Sequence, residues 1–134
     1  MSMSSAMSQP NGARAHILVV ENDDRALASV EAFLTREGYE IRTTWSGREA
    51  LALLQSYGFD LVLVADHLPD IYCGEFVKLA SRRATSVVVM HAGKPRPTSM
   101  RRYKALGASA VMDKSDAKQL YQFLISRHGK PKHS

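Results

Sequence analysis

The sequence predicts an α/β fold: a doubly wound parallel sheet of five strands with five helices covering both faces. Three observations predict it. Short apolar runs rich in β-branched residues alternate five times with stretches of helical periodicity. The connections between them are short, as in a layered α/β domain. The strand runs are apolar at consecutive positions, the pattern of strands buried on both faces. With 134 residues, 45% of them hydrophobic, the chain is long enough for one such domain with a core that needs no staples.

His16-Ile17-Leu18-Val19-Val20 is the first strand, followed at once by Glu21-Asn22-Asp23-Asp24. From Asp24, a natural N-cap, residues Leu27, Val30, Phe33 and Leu34 follow helical spacing until Gly38 ends the helix as a C′ residue. Tyr39 to Thr44 is a short strand. Ser46-Gly47-Arg48-Glu49 has capping-box spacing and opens a second helix through Leu54 to about Tyr57. Leu61-Val62-Leu63-Val64 is the third strand; it runs into Ala65-Asp66 and then a turn carrying Pro69. Gly74 starts a helix with Phe76, Val77, Leu79 and Ala80 on its apolar face. Val87 to Met90 is the fourth strand, ending at His91. The two prolines of Lys94-Pro95-Arg96-Pro97 demand a loop. Met100, Tyr103 and Leu106 suit a short helix that Gly107 closes. Ala110-Val111-Met112 is the fifth strand, and Ser115 caps a last helix with Leu120, Phe123 and Leu124 inward.

In a doubly wound sheet the C-terminal strand ends collect in one crevice. Here that gathers Glu21, Asn22 and Asp23, then Ala65 and Asp66, then His91 and Lys114. Oxygen-rich acidic groups suit a hard cation such as magnesium, and a lysine opposite suits a phosphoryl group.

The arrangement resembles the receiver domain of bacterial two-component response regulators, over roughly residues 15–127. The segments that carry the resemblance are His16–Asp24, Gly47–Leu54, Asp60–Gly74, Val87–Ala92 and, most specifically, Gly107-Ala108-Ser109-Ala110-Val111-Met112-Asp113-Lys114-Ser115. The resemblance implies a flavodoxin-like strand order 2-1-3-4-5, a phosphoacceptor aspartate after the third strand and Mg2+ held by acids after the first. It implies Lys114 as the phosphoryl contact. Partners implied are a sensor histidine kinase or phosphotransfer protein and an output protein, in the cytoplasm; such a domain is not classed as an enzyme. Several positions depart from the pattern. Asn22 stands at the second acidic place, so the magnesium set reads Glu21, Asn22 and Asp66. His91 fills the Ser/Thr position and Val111 the place of the switch aromatic. The acceptor has two registers: counting back from Pro69 gives Ala65, and counting back from Gly74 gives Asp66.

Residues 1–14 read as a disordered leader without the apolar core of a signal peptide, and 128–134 as a disordered basic tail. The chain ends about where such a domain ends, so a stand-alone receiver is expected. The single cysteine, Cys73, forms no internal disulfide and fits a reducing compartment; it reads as inert. No apolar stretch is long enough to span a membrane. The net charge of +5 is unevenly spread: residues 15–75 carry eleven acids and four bases, whereas 76–112 carry eight bases and no acid. A basic pole of this kind suits an acidic output protein. Arg101, Arg102 and Lys104 read first as a solvated helix face, and no reading helix or aromatic platform supports nucleic-acid binding beyond nonspecific association. A phosphorylation-independent interaction module is the alternative function. Hydrolase and oxidoreductase readings lack a Gly-rich nucleotide loop, a nucleophile elbow or a paired-cysteine motif.

Overall fold

The computed structural model describes residues 15–83 and 86–129. Five strands, β1 (His16–Val20), β2 (Glu40–Thr44), β3 (Leu61–Ala65), β4 (Val87–His91) and β5 (Ala110–Asp113), alternate with five helices. The helices are α1 (Asp24–Arg36), α2 (Gly47–Ser56), α3 (Cys73–Ala80), α4 (Pro97–Ala105) and α5 (Ala117–His128). All strand pairs are parallel, in the order 2-1-3-4-5 that the resemblance implied.

Consecutive apolar residues on β1, β3 and β4 feed opposite faces of the sheet. Leu18, Val20, Val62, Val64, Val87 and Val89 pack with Ala50, Leu54, Phe76, Val77 and Tyr103 from α2, α3 and α4. Ile17, Val19, Leu61, Leu63, Val88 and Met90 pack with Leu34, Leu120 and Leu124 from α1 and α5. Most of these side chains are fully buried, each worth roughly 1.5–3 kcal/mol of transfer free energy. A strand sealed on both sides explains why the apolar runs show no alternation in sequence.

Helix ends differ from the sequence reading in five places. The N-cap of α1 is Asp23, not Asp24: its carboxylate accepts from the amides of Arg25 (2.9 Å) and Ala26 (3.3 Å). The N-cap of α5 is Asp116, which accepts from the Gln119 amide at 3.0 Å, rather than Ser115. Ser115 is drawn back instead, its hydroxyl donating to Asp113 at 2.8 Å. Pro97 belongs to α4 as its first residue, where its missing amide hydrogen costs nothing, so the loop ends at Arg96. Helix α3 begins at Cys73, one residue before Gly74. Helix α5 reaches His128, one residue past the boundary read at 127; the leader and residues 130–134 lie outside the described residues.

The capping box at α2 is present in altered form. Ser46 accepts from the Glu49 amide at 3.0 Å. The return arm runs through Thr44, whose hydroxyl donates to the Glu49 carboxylate and accepts from the Ser46 amide. Asp70, from the loop after β3, adds a second cap: it accepts from the Gly47 and Arg48 amides and from the Ser46 hydroxyl at 2.7 Å. That contact ties the loop leaving β3 to the start of α2.

Candidate functional site

At the C-terminal edge of the sheet, β1 delivers Glu21, whose amide donates to the Thr44 carbonyl at 3.0 Å. Its side chain is 7% exposed and both oxygens are engaged. One accepts from Lys114 Nζ at 3.1 Å, the other from the Asp23 amide at 3.0 Å. Lys114 is positioned by its own amide, which donates to the His91 carbonyl at 2.8 Å and ties the end of β5 to that of β4. Glu21 and Lys114 are thus brought together as the crevice argument required.

Residues 65 and 66 part company at the end of β3. The alternation of Leu61 and Leu63 toward α1 and α5 continues to Ala65, whose methyl lines the same cavity wall as Glu21 and Lys114. Asp66 stands one step on. Its amide donates to the Met90 carbonyl at 3.2 Å, and its carboxylate Oδ2 lies 3.6 Å from His91 Nε2 and 4.0 Å from Nε2 of the exposed His67. The His91 ring is fixed from its other side, Nδ1–H donating to the Gly93 carbonyl at 2.9 Å. Asn22 is exposed.

Two residues not linked to the site in sequence lie within electrostatic reach of Asp66. Cys73 and Tyr103 are buried in the same core cluster. Burial pushes the Cys73 thiol up to about 12, and the Asp66 charge adds to it. Burial likewise pushes Tyr103 up to about 12, with Cys73 and Asp66 contributing. Both groups stay neutral at physiological pH, so Cys73 is a poor nucleophile. Helical spacing marks Tyr103 as inward, but nothing in sequence pairs it with Cys73. At the end of β5, Asp113 is held below the usual carboxylate range by the Ser115 amide and hydroxyl, with His91 adding to the effect.

A divalent cation needs several converging oxygens. Glu21 spends both of its own on Lys114 and Asp23, Asn22 faces solvent, and Asp66 is beside His91. Among the described residues no three His, Cys, Asp or Glu side chains gather into a metal-holding group. As arranged, the set of Glu21, Asn22 and Asp66 does not fit magnesium.

The comparison with family models matches residues 17–125 to the response regulator receiver domain. The chain belongs to that family. Among curated relatives, this receiver is 31% identical over 101 residues to the uncharacterized transcriptional regulatory protein YcbL of Bacillus subtilis, covering 75% of this chain and 43% of that protein. It is 28% identical over 79 residues to the TorCAD operon regulatory protein TorR of Escherichia coli, covering 59% of this chain and 34% of TorR. The receiver thus spans less than half the length of these relatives. Among solved structures, Vibrio cholerae chemotaxis protein CheY4 superposes with a TM-score of 0.74 at 26% identity, covering 85% of this chain and 98% of CheY4. The receiver domain of the Arabidopsis thaliana histidine kinase CKI1, complexed with Mg2+ and BeF3-, shares the fold with a TM-score of 0.72 at 19% identity, covering 85% and 91%. The chain is therefore a signalling module of two-component systems. Among the described residues no helix is long and apolar enough to cross a membrane.

Proposed function

We propose that this receiver signals through protein–protein contacts without a phosphoryl group on Asp66. One observation carries the reading: Ala65 is the β3 residue that shares a wall with Glu21 and Lys114, while Asp66 stands against His91. Lys114 is engaged by Glu21 at 3.1 Å, so a phosphoryl group would have to compete with that buried carboxylate for it. Magnesium has no acidic cradle in this reading, and the Val111 side chain has no ring to swing. Input then comes from a partner's binding rather than from phosphotransfer by a histidine kinase or phosphotransfer protein. Output goes to a protein in the cytoplasm whose acidic surface meets the basic edge of residues 76–112.

The test is incubation with acetyl phosphate and magnesium followed by intact-mass measurement. The expected result is no phosphoryl adduct on the wild type or on Asp66→Ala. An adduct on the wild type that disappears in Asp66→Ala overturns the proposal and makes Asp66 the acceptor.

A further inference from the structure

Beneath the Glu21–Lys114 pair, between α1 and α5, lies a cavity of about 260 Å³. Its origin is local. The Phe33 and Tyr121 rings meet edge to face, 6.4 Å between centroids, and prop the two helices apart. Toward the site the residues lining the gap are small, Ala26 and Ser29 on α1 and Ala117 on α5. From the sheet, Ala65 adds only a methyl beside Leu63. Val30 and Phe33 of α1 and Leu120 of α5 line the cavity without filling it.

Size and chemistry limit the occupant. An apolar cavity of ~150 Å³ holds one benzene ring, so about 260 Å³ suits two fused rings. The wall carries Ser29 on α1 and Ser115 and Asp116 before α5, and its least exposed charges are Glu21 and Lys114, which already balance each other. A charged ligand would compete with one partner of the pair, and an anion taking Lys114 would leave Glu21, 7% exposed, without its counter-charge. A hydroxyl or carbonyl would not. Lys114 has ammonium hydrogens beyond the one it gives Glu21, and a ligand hydroxyl can also donate to the Glu21 carboxylate.

We propose that this cavity is a binding site for a neutral two-ring molecule bearing one hydroxyl or carbonyl. Its rings lie against Leu63 and Ala65, and its polar atom meets the Glu21–Lys114 pair. The proposal goes beyond the signalling reading above and does not depend on it, since a receiver that accepted a phosphoryl group could hold the same ligand.

The experiment is a titration of the full chain with 2-naphthol, followed by amide nitrogen–proton spectra, with 2-naphthoate as the charged comparison. Saturable shifts are expected at Glu21, Ala26, Ser29 and Ala117, with a dissociation constant on the order of 0.1–1 mM and binding of 2-naphthoate about tenfold weaker. Ala65→Leu fills the cavity from the sheet and Ser29→Phe fills it from the exposed side of α1; each is expected to weaken binding about tenfold or more. If Ala65→Leu does not fold, Ser29→Phe decides, and the same spectra report folding. Absence of saturable shifts, shifts centred elsewhere, equal binding of 2-naphthoate, or undiminished binding by a folded filled variant overturns the proposal. None of these readouts involves phosphorylation, so the two proposals fail separately.

Discussion

Glu21 is a carboxylate 7% exposed, and removing it from water costs several kcal/mol unless its charge is met. The Asp23 amide meets one oxygen and Lys114 the other. Lys114 keeps about a quarter of its surface in solvent, which discounts the pair below a fully buried one. Lys114→Met is therefore expected to destabilise the domain by about 2 kcal/mol, mainly by stranding Glu21. Adding Glu21→Gln should recover most of that loss, because the stranded charge goes with it. Urea unfolding of the two single variants and the double variant completes the cycle. A Lys114→Met protein as stable as the wild type would show that the pair carries no stability. The same residues mark the limit of sequence reading. Glu21 and Lys114 were legible because strand ends gather at one edge. The choice between Ala65 and Asp66 was not, because a strand buried on both faces has no polar side to reveal which way each residue turns.

At the scale of elements, the loop after β3 is held to α2 by Asp70, a contact spanning 24 residues of sequence. The Ser46 hydroxyl lowers the Asp70 carboxyl below its ordinary 3.8, outweighing burial, which raises it, and the Arg48 and Gly47 amides lower it further. A carboxylate lowered in the folded state stabilises above its unfolded pKa and loses that contribution as pH falls through the folded value. Asp70→Ala is expected to cost about 1 kcal/mol at pH 7, as for other N-cap losses. The gap from wild type should be flat near neutrality and shrink as pH is taken below 3.8. Urea melts at pH 7 and at successively lower pH measure it; a gap that does not narrow in acid would assign the effect to packing instead. Sequence showed the Ser46 box but not this second cap, since no local spacing links Asp70 to Ser46. The caps misplaced by one residue have a different, local cause. Asp23 and Asp24 are chemically equivalent, and a contact two residues away separates them: Asp23's amide is taken by Glu21. Ser115 lost its capping role to Asp116 because Asp113 accepts its hydroxyl. The strands themselves were legible, because β-branched apolar runs between turn signals admit few other readings.

For the whole molecule, the sheet order gathers the bases of 76–112 toward one edge. Lys78, Arg101, Arg102 and Lys104 lie on α3 and α4, whereas in and beside β2 at the other edge Glu37, Glu40 and Glu49 are matched by Arg36, Arg42 and Arg48. A one-sided basic surface of this kind steers partners and sets their orientation more than it tightens them. The basic edge has the charge for nucleic acid but not the surface to read it. Tyr103 is buried, and the Arg102 guanidinium lies over its ring at 5.5 Å, so the aromatic among the α4 bases offers no stacking face. Electrostatic contacts alone give an affinity whose logarithm falls by about 0.9 per neutralised phosphate for each tenfold rise in salt. Anisotropy of a labelled duplex should therefore rise only near ~50 mM salt, lose that rise by ~200 mM, and be the same for unrelated sequences. Reversing Arg101 and Lys104 to glutamate should abolish even the low-salt signal, since both are exposed on α4. A complex that survives ~200 mM salt and distinguishes sequences would make this edge a nucleic-acid reader and displace the acidic protein partner assigned to it.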